Sequence, residues 1–413
     1  MISRSNPKLA QSSRRQPQTR LTGYLSRSMV FGICSVFCCL YFQFLTSMLS
    51  LYQDPTATSA EYLSSSVFTT PAAVNLEVLN DSSKATVMAM ATGYHLMDNK
   101  RFVGSLRKTG FTGKIILAVK PDIKPAVREY LTKQGVTMKF LNTVECTYTN
   151  KDVNPDNSHS KEILSCVDPY PDLKQRWSRF PLLRDFLEEC EECTGPVLVT
   201  DFRDTIFQRD PFGDGAPAVS GLEVFEEHSS QKTSHWIVSE PVKKCKNIKF
   251  DGTMLCSGTT VGTREAMLQY LSTMHAEMKE WMLDTKCCCN NMNGDDQSIH
   301  NYLFYTGKLP FATSFPNRLG RVNTPGVQGS NVWNEHINMY KSLGYSESES
   351  RKFPYAGADA NGSSTGTWIG MGYGVTDEKG YLTNLDGSRS RVVHQFDRFR
   401  WPLERWVDKN IGD

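Results

Sequence analysis

The sequence predicts an α/β fold, a mostly parallel sheet flanked by helices. Three observations predict it. Between residues 85 and 141, short apolar runs alternate with amphipathic stretches, the rhythm that a parallel sheet requires. A further apolar, β-branched run, Val197-Leu198-Val199, leads straight into a cluster of carboxylates. With 413 residues and 39% hydrophobic content, the chain can bury a substantial core, as one large domain with appendages or as two smaller domains.

Taken in order, Ala85 to Ala91 reads as a buried strand and Asp98 to Lys108 as an amphipathic helix. Lys114 to Val119 reads as a second strand, Pro125 to Gln134 as a helix and Val136 to Leu141 as a third strand. Residues 142 to 173, rich in Asn, Asp, Ser and Pro, break this rhythm and predict a long surface excursion. The next helix, Arg176 to Cys190, carries Phe180, Leu183, Phe186 and Leu187 on one face. Gly195-Pro196 then marks the start of the strand before the carboxylates. Shorter strands are expected near Ala218 to Phe225, Trp236 to Ser239 and Thr259 to Gly262. A long helix runs from about Arg264 to Leu283 and another begins near Asp295. Residues 320 to 390 are rich in Gly, Ser and Asn and show little periodicity, and no internal repeat is evident.

Charge is informative in its distribution. Net charge is +2, but Arg4, Lys8, Arg14, Arg15, Arg20 and Arg27 all precede the first acidic residue, Asp54. Of 46 basic residues, 40 are left against 44 acidic ones beyond that tail. A mildly acidic body argues against nucleic acid as a partner. Met29 to Leu51 contains no charged residue, and about 20 apolar residues suffice to cross a bilayer. The reading is a basic cytoplasmic tail over 1–28, a transmembrane signal anchor over 29–51, a flexible Ser/Thr/Ala/Pro stem over 52–83 and a lumenal domain over 84–413. That is a single-pass type II protein of the Golgi or ER membrane. A cleaved signal peptide is the rival, but Ser47-Met48-Leu49 makes a poor cleavage site. Asn80-Asp81-Ser82 and Asn361-Gly362-Ser363 fit the N-glycosylation pattern and fall on the lumenal side.

Outside the span lie nine cysteines, at 146, 166, 190, 193, 245, 256, 287, 288 and 289. An odd number leaves at least one unpaired. Cys146 and Cys166 can close the excursion they bracket, although connectivity does not follow from sequence. Cys190 and Cys193 have CxxC spacing without a second Cys/His pair, which favours a disulfide or ordinary thiols over zinc.

The carboxylates carry the chemistry. In open α/β sheets ligands bind at the carboxyl ends of strands, where Asp201 and Asp204 emerge. Two such groups can hold a hard divalent cation against a diphosphate. The plainer reading is a turn whose Asp side chains bond backbone donors. Residues two apart share a strand face and residues three apart do not, so Asp204 joins Asp201 only if the backbone turns between them. Asp210-Pro211-Phe212 reads as structural, an extended turn anchored by Phe212.

The run from Val197 to Phe212 resembles the metal-binding strand end of GT-A-fold nucleotide-sugar glycosyltransferases, especially a branch with the pattern T-D-x-R-D-x-x-F-Q-x-D-P-F. Three more blocks match in the expected order: Cys256 to Arg264, Asp295 to Tyr302 and Val393 to Arg398. The resemblance covers roughly residues 84 to 400. Most of these enzymes carry Asp-x-Asp, whereas here Arg203 stands two after Asp201 and the second carboxylate is displaced to Asp204. Arg203 can itself stand in for part of a cation, because a guanidinium makes charge-assisted contacts to phosphate oxygens.

The resemblance implies transfer of a sugar from a nucleoside diphosphate donor to a glycan or glycoprotein hydroxyl, with Mn²⁺ or Mg²⁺ as cofactor. It implies metal ligands Asp201, Asp204 and His394, the last a residue that at a strand end is ordinarily just hydrogen-bonded. It sets Asp295, Asp296 and Gln297 beside the transferred sugar as the catalytic block, with one carboxylate capping a helix and the other acting as acceptor-side base or sugar contact. Ser257 and Gly258 would shape the donor side with Asp201 and Arg203. Position near the first strand or before the acidic motif makes Arg179, Lys84 and Thr92 candidates for nucleotide contacts, against the plainer reading of solvated surface groups. Two rivals stand. An aspartyl phosphatase needs a carboxylate where Arg203 lies, which counts against it. The other is a non-catalytic, membrane-tethered glycan-binding module on the same fold.

Overall fold

Successive strand residues face opposite sides of a sheet, and the first strand, β1 (Thr86–Met90), shows the result. Val87 and Ala89 pack with Phe102, Val103 and Leu106 on one face. Met88 packs with Phe180 and Leu183 on the other. A strand buried on both faces must be apolar throughout, which is why it is legible as a continuous run.

The computed structural model describes residues 81–147, 165–228, 230–283, 295–326, 334, 337–338, 340–342, 344–350, 377, 379–399 and 407–410. These all belong to one unit, Leu76–Asp413. The expected tail, membrane span and nearly all of the stem lie outside the described residues, as do both sequons' Asn80 and Asn361 and the cysteines at 287–289. Among the described residues, no helix is long and apolar enough to cross a membrane.

The central sheet has seven strands in the order β10-β8-β9-β6-β1-β2-β3. They are β1, β2 (Lys114–Val119), β3 (Val136–Phe140), β6 (Val197–Thr200), β8 (Leu222–Glu226), β9 (Leu255–Gly262) and β10 (Ala312–Phe315). β1, β2, β3 and β6 are mutually parallel, as are β8 and β10, while β9 runs antiparallel to both β6 and β8. Helix α1, formed by Leu96–Asn99, a π turn at Lys100–Gly104 and Ser105–Lys108, shares one face with α2 (Pro125–Lys133). The opposite face carries α3 (Gln175–Glu188) and α5 (Arg264–Leu283), with Trp177 and Phe180 against Tyr270 and Met274. The fold is therefore mixed α/β with a mostly parallel sheet.

Where the chain leaves this rhythm, β4 (Thr143–Glu145) and β5 (Ser165–Val167) pair antiparallel and are tied by a Cys146–Cys166 disulfide. Cys190 and Cys193 also form a disulfide, so the CxxC spacing serves no metal here. Cys256 is the free cysteine among the described residues and is buried. One expectation fails: Trp236 to Ser239 is not a strand but opens helix α4 (Trp236–Lys246). A short apolar run fits either structure by period alone. The helix is favoured by a cap, since the Ile237 N–H donates to Nδ1 of His235 at 3.4 Å. Pro241 lacks the N–H that would reach Ile237, and the Ser298 hydroxyl donates to that carbonyl instead at 2.7 Å.

A small second sheet, β11-β12-β7, completes the arrangement. It consists of β7 (Thr205–Phe207), β11 (Val322–Asn323) and β12 (Val392–His394). β12 runs antiparallel to β7 with His394 opposite Thr205.

Candidate functional site

From β1 the chain winds outward through β2 to β3, then returns to place β6 on β1's other side. Strand order reverses between β1 and β6, and a crevice opens at such a switch point beyond the strand carboxyl ends. A cleft of about 790 Å³ lies there. Thr92 and Tyr94 after β1, Lys120 after β2, the Asp201–Asp204 turn after β6, and Ser257 and Gly258 of β9 line it, with Arg179 of α3.

The turn required between Asp201 and Asp204 is present, because β6 ends at Thr200 and β7 begins at Thr205. One backbone bond fixes each side of it. The Asp201 N–H donates to the Gly258 carbonyl at 2.7 Å, and the Phe396 N–H donates to the Asp204 carbonyl at 3.3 Å. The second bond and the pairing of β12 with β7 bring His394 to the two carboxylates. Its Nε2 lies 3.6 Å from Asp201 Oδ2 and 3.6 Å from Asp204 Oδ1. One ligand atom from each residue falls within 4.8 Å of the others. A single cation about 2.1–2.4 Å from each donor can bridge that spacing.

The donor set fits such an ion. His394 is only 2% exposed, and its Nε2 is a buried polar atom without a hydrogen-bond partner among the described residues, which is costly unless something else satisfies it. Room is kept open by Gly258, where an added Cβ would lie 2.6 Å from Nε2 and 2.7 Å from Asp201 Oδ2. Two carboxylate oxygens with one imidazole suit Mn²⁺ or Mg²⁺ better than a soft metal.

Electrostatics hold the carboxylates ionised. Burial opposes charge on Asp201, but the Arg179 guanidinium and His394 bring its pKa below the ordinary aspartate value. At Asp204 burial is likewise outweighed, by His394 and Arg203, and the pKa is strongly lowered. Burial disfavours a charged His394, yet Cys256 and the two aspartates hold it well above the ordinary histidine value.

Arg179 links the acidic turn to the block after residue 294. It pairs with Asp201 at very short range and with Asp296 Oδ2 at 2.7 Å, and it donates to the Ser257 carbonyl at 3.4 Å. Arg203 is 53% exposed at the cleft and pairs with Asp397 at 3.0 Å. Asp295 begins helix α6 (Asp295–Tyr305), and nothing is described of its side chain. Gln297 is held by its amide: its Nε2 donates to Glu227 Oε1 at 2.9 Å and to the Leu255 carbonyl at 3.1 Å. Thr92 lines the cleft as expected, whereas Lys84 precedes β1 at the far end of the strand and faces Asp81.

Sequence reasoning passed over Tyr94, Lys120 and Cys256. Tyr94 stacks on Phe202 with ring centroids 5.3 Å apart, inside the cleft. Strand-end position was the available signal for Tyr94 and Lys120, since each follows a parallel strand by a few residues. For Cys256 the signal was the period of two, which puts it on the same face of β9 as Gly258. Its Sγ lies 3.2 Å from His394 Nδ1.

Fold and site together define a mostly parallel α/β protein with an Asp-Asp-His cluster at the sheet's switch point. Among solved structures, the chain matches the galactosyltransferase LgtC in complex with donor and acceptor sugar analogs. Identity is 13% and the TM-score is 0.40, over 79% of this chain and 96% of that chain. No protein-family profile matches the chain, and no curated protein does.

Proposed function

We propose that the chain is a glycosyltransferase, moving a sugar, most simply a hexose, from a nucleoside diphosphate donor to a hydroxyl of a glycan or glycoprotein. The observation that carries this reading is the convergence of Asp201, Asp204 and His394 at the strand carboxyl ends beside a cleft large enough for a nucleotide sugar. Asp201, Asp204 and His394 would hold Mn²⁺ or Mg²⁺. When bound there, the cation supplies positive charge to the diphosphate leaving group.

The chain's own residues do the rest. Tyr94, half-buried and stacked on Phe202, offers an aromatic face to the nucleoside. Lys120 and the exposed Arg203 face the same cleft and offer donors to phosphate oxygens, with Arg203 free to exchange Asp397 for a phosphate. Arg179 and Asp296, fixed by their mutual bond, present a donor and an acceptor to sugar hydroxyls, with the Ser257 hydroxyl nearby. Asp295, Asp296 and Gln297 form the acceptor side, with one carboxylate available to take the acceptor proton. Arg179 connects that side to Asp201, so both halves of the reaction are held in one frame.

The basic tail, the apolar segment 29–51 and the stem support a type II anchor that presents this domain to the Golgi or ER lumen. A protease-protection assay on microsomes tests that orientation, and digestion of a carboxy-terminal tag contradicts it. For the activity, thermal-shift screening of nucleotide sugars with Mn²⁺ is the test. A donor that raises Tm in wild type but not in Asp201→Ala is expected. The same shift in both proteins contradicts the reading.

A further inference from the structure

We infer that Cys256 is a positioning residue for His394, its sulfur serving as the hydrogen-bond acceptor that fixes the histidine ring for cation ligation. This rests on the cation site proposed above and concerns how that site is preorganised. Three observations carry it.

The first is contact. Cys256 Sγ lies 3.2 Å from His394 Nδ1, and both residues are 2% exposed, so no water competes for the ring's inner nitrogen. The second is the other edge of the ring. Among the described residues Nε2 has no hydrogen-bond partner, and it stands 3.6 Å from both aspartate oxygens, at the point where the three ligand groups converge. An imidazole that binds a cation through Nε2 carries its remaining proton on Nδ1. Among the described residues, the sulfur of Cys256 is the acceptor at hydrogen-bond distance from that N–H. The third is the strand. Cys256 and Gly258 lie two apart on one face of β9, the cysteine against one edge of the ring and the glycine against the other. An added Cβ at Gly258 would fall 2.5 Å from Cε1 and 2.6 Å from Nε2. A single strand face thus sets both the direction and the depth of the imidazole.

Ligating histidines commonly donate their second N–H to a carboxylate, a carbonyl or water, and removing that acceptor costs about 10- to 100-fold in metal affinity. A buried thiol fills the same role here with a weaker acceptor but a closer fit. The cysteine also stands apart from the Cys146–Cys166 and Cys190–Cys193 disulfides, remaining free in a chain that otherwise oxidises its described pairs.

The test is Mn²⁺ binding to the whole lumenal fragment, followed by electron paramagnetic resonance of free Mn²⁺, without substrate. Cys256→Ala should bind Mn²⁺ about 10- to 100-fold more weakly than wild type. Cys256→Ser, which keeps a buried acceptor, should recover most of that loss. Melting temperatures of the metal-free proteins identify any variant that fails to fold. Equal affinity in wild type and a folded Cys256→Ala overturns this inference while leaving the cation site intact. Cys256→Ser binding as weakly as Cys256→Ala overturns it too, since packing rather than hydrogen bonding would then be responsible. Wild type that binds no Mn²⁺ overturns the cation site itself, and the positioning role with it.

Discussion

A Cβ on Gly258 would lie 2.5 Å from Cε1 of His394, closer than two carbon atoms can come without one of them moving. Glycine is required there because β9 passes directly against the imidazole that β12 delivers. The packing is tight on the side where a cation would sit, since the same Cβ would be 2.7 Å from Asp201 Oδ2.

Gly258→Ala is therefore expected to weaken Mn²⁺ binding by about tenfold or more through displacement of His394 and Asp201 together. Isothermal titration of the folded variant measures it. Unchanged affinity means that the ring and carboxylate can move aside freely, which contradicts a preorganised site.

Removing Arg179 should be costly in an identifiable way. Its guanidinium is 16% exposed and serves both Asp201 and Asp296. Burial disfavours its charge, but those two carboxylates more than compensate and raise its pKa. Arg179→Ala strips Asp296 of this partner and leaves Asp201 to His394, and should lower unfolding free energy by about 2–3 kcal/mol. This is less than a fully dry pair would lose, because Asp201 keeps 36% of its side chain exposed. Urea unfolding measures this loss. A second substitution, Asp296→Asn, should restore part of the stability in the Arg179→Ala background, because an amide tolerates lack of a partner better than a carboxylate. A double variant no more stable than Arg179→Ala argues against the ion pair.

Much of this fold could be read from sequence because its central strands are buried on both faces and must be apolar throughout. β1, β2 and β6 were expected within a residue or two for that reason, whereas β3, an edge strand with only Val136 fully buried, was legible from the alternation of strand and helix. Trp236 to Ser239 was misread because three apolar residues do not distinguish a strand from one turn of helix, and the cap at His235 is a side-chain contact. The acidic turn was legible at Asp201, and the resemblance rather than spacing brought His394 to it. What joins them is the register of β12 on β7, a long-range pairing that no local pattern encodes. The bond from the Gln297 amide to Glu227, which depends on how α6 docks against β9, could not be seen from either segment alone.

Stability should fall with acid through His300. Burial, reinforced by Arg179, depresses its pKa to about 3, while the unfolded chain titrates near the ordinary value of about 6.5. Between these values the unfolded chain holds a proton that the native state does not, so stability rises with pH across this window. The contribution is fully present above about pH 6.5 and is lost as pH falls toward 3. His300→Asn, which keeps an acceptor for the Tyr270 hydroxyl now 2.8 Å from Nδ1, removes the titration. The stability advantage of wild type over this variant should shrink by about 2 kcal/mol between pH 7.5 and 5. A constant difference in denaturant unfolding at the two pH values would mean that His300 takes up a proton in the folded protein.

The central claim is that Asp201 belongs to a cation-dependent donor site. Its most direct test is donor hydrolysis by the purified protein, in wild type and Asp201→Ala, each with and without Mn²⁺, using a donor found by thermal shift. Hydrolysis is expected in wild type with Mn²⁺ and should be at least about a hundredfold slower in the other three samples, a loss of about 2.7 kcal/mol of transition-state stabilisation. Equal rates in all four would contradict the account and leave a binding module on the same fold.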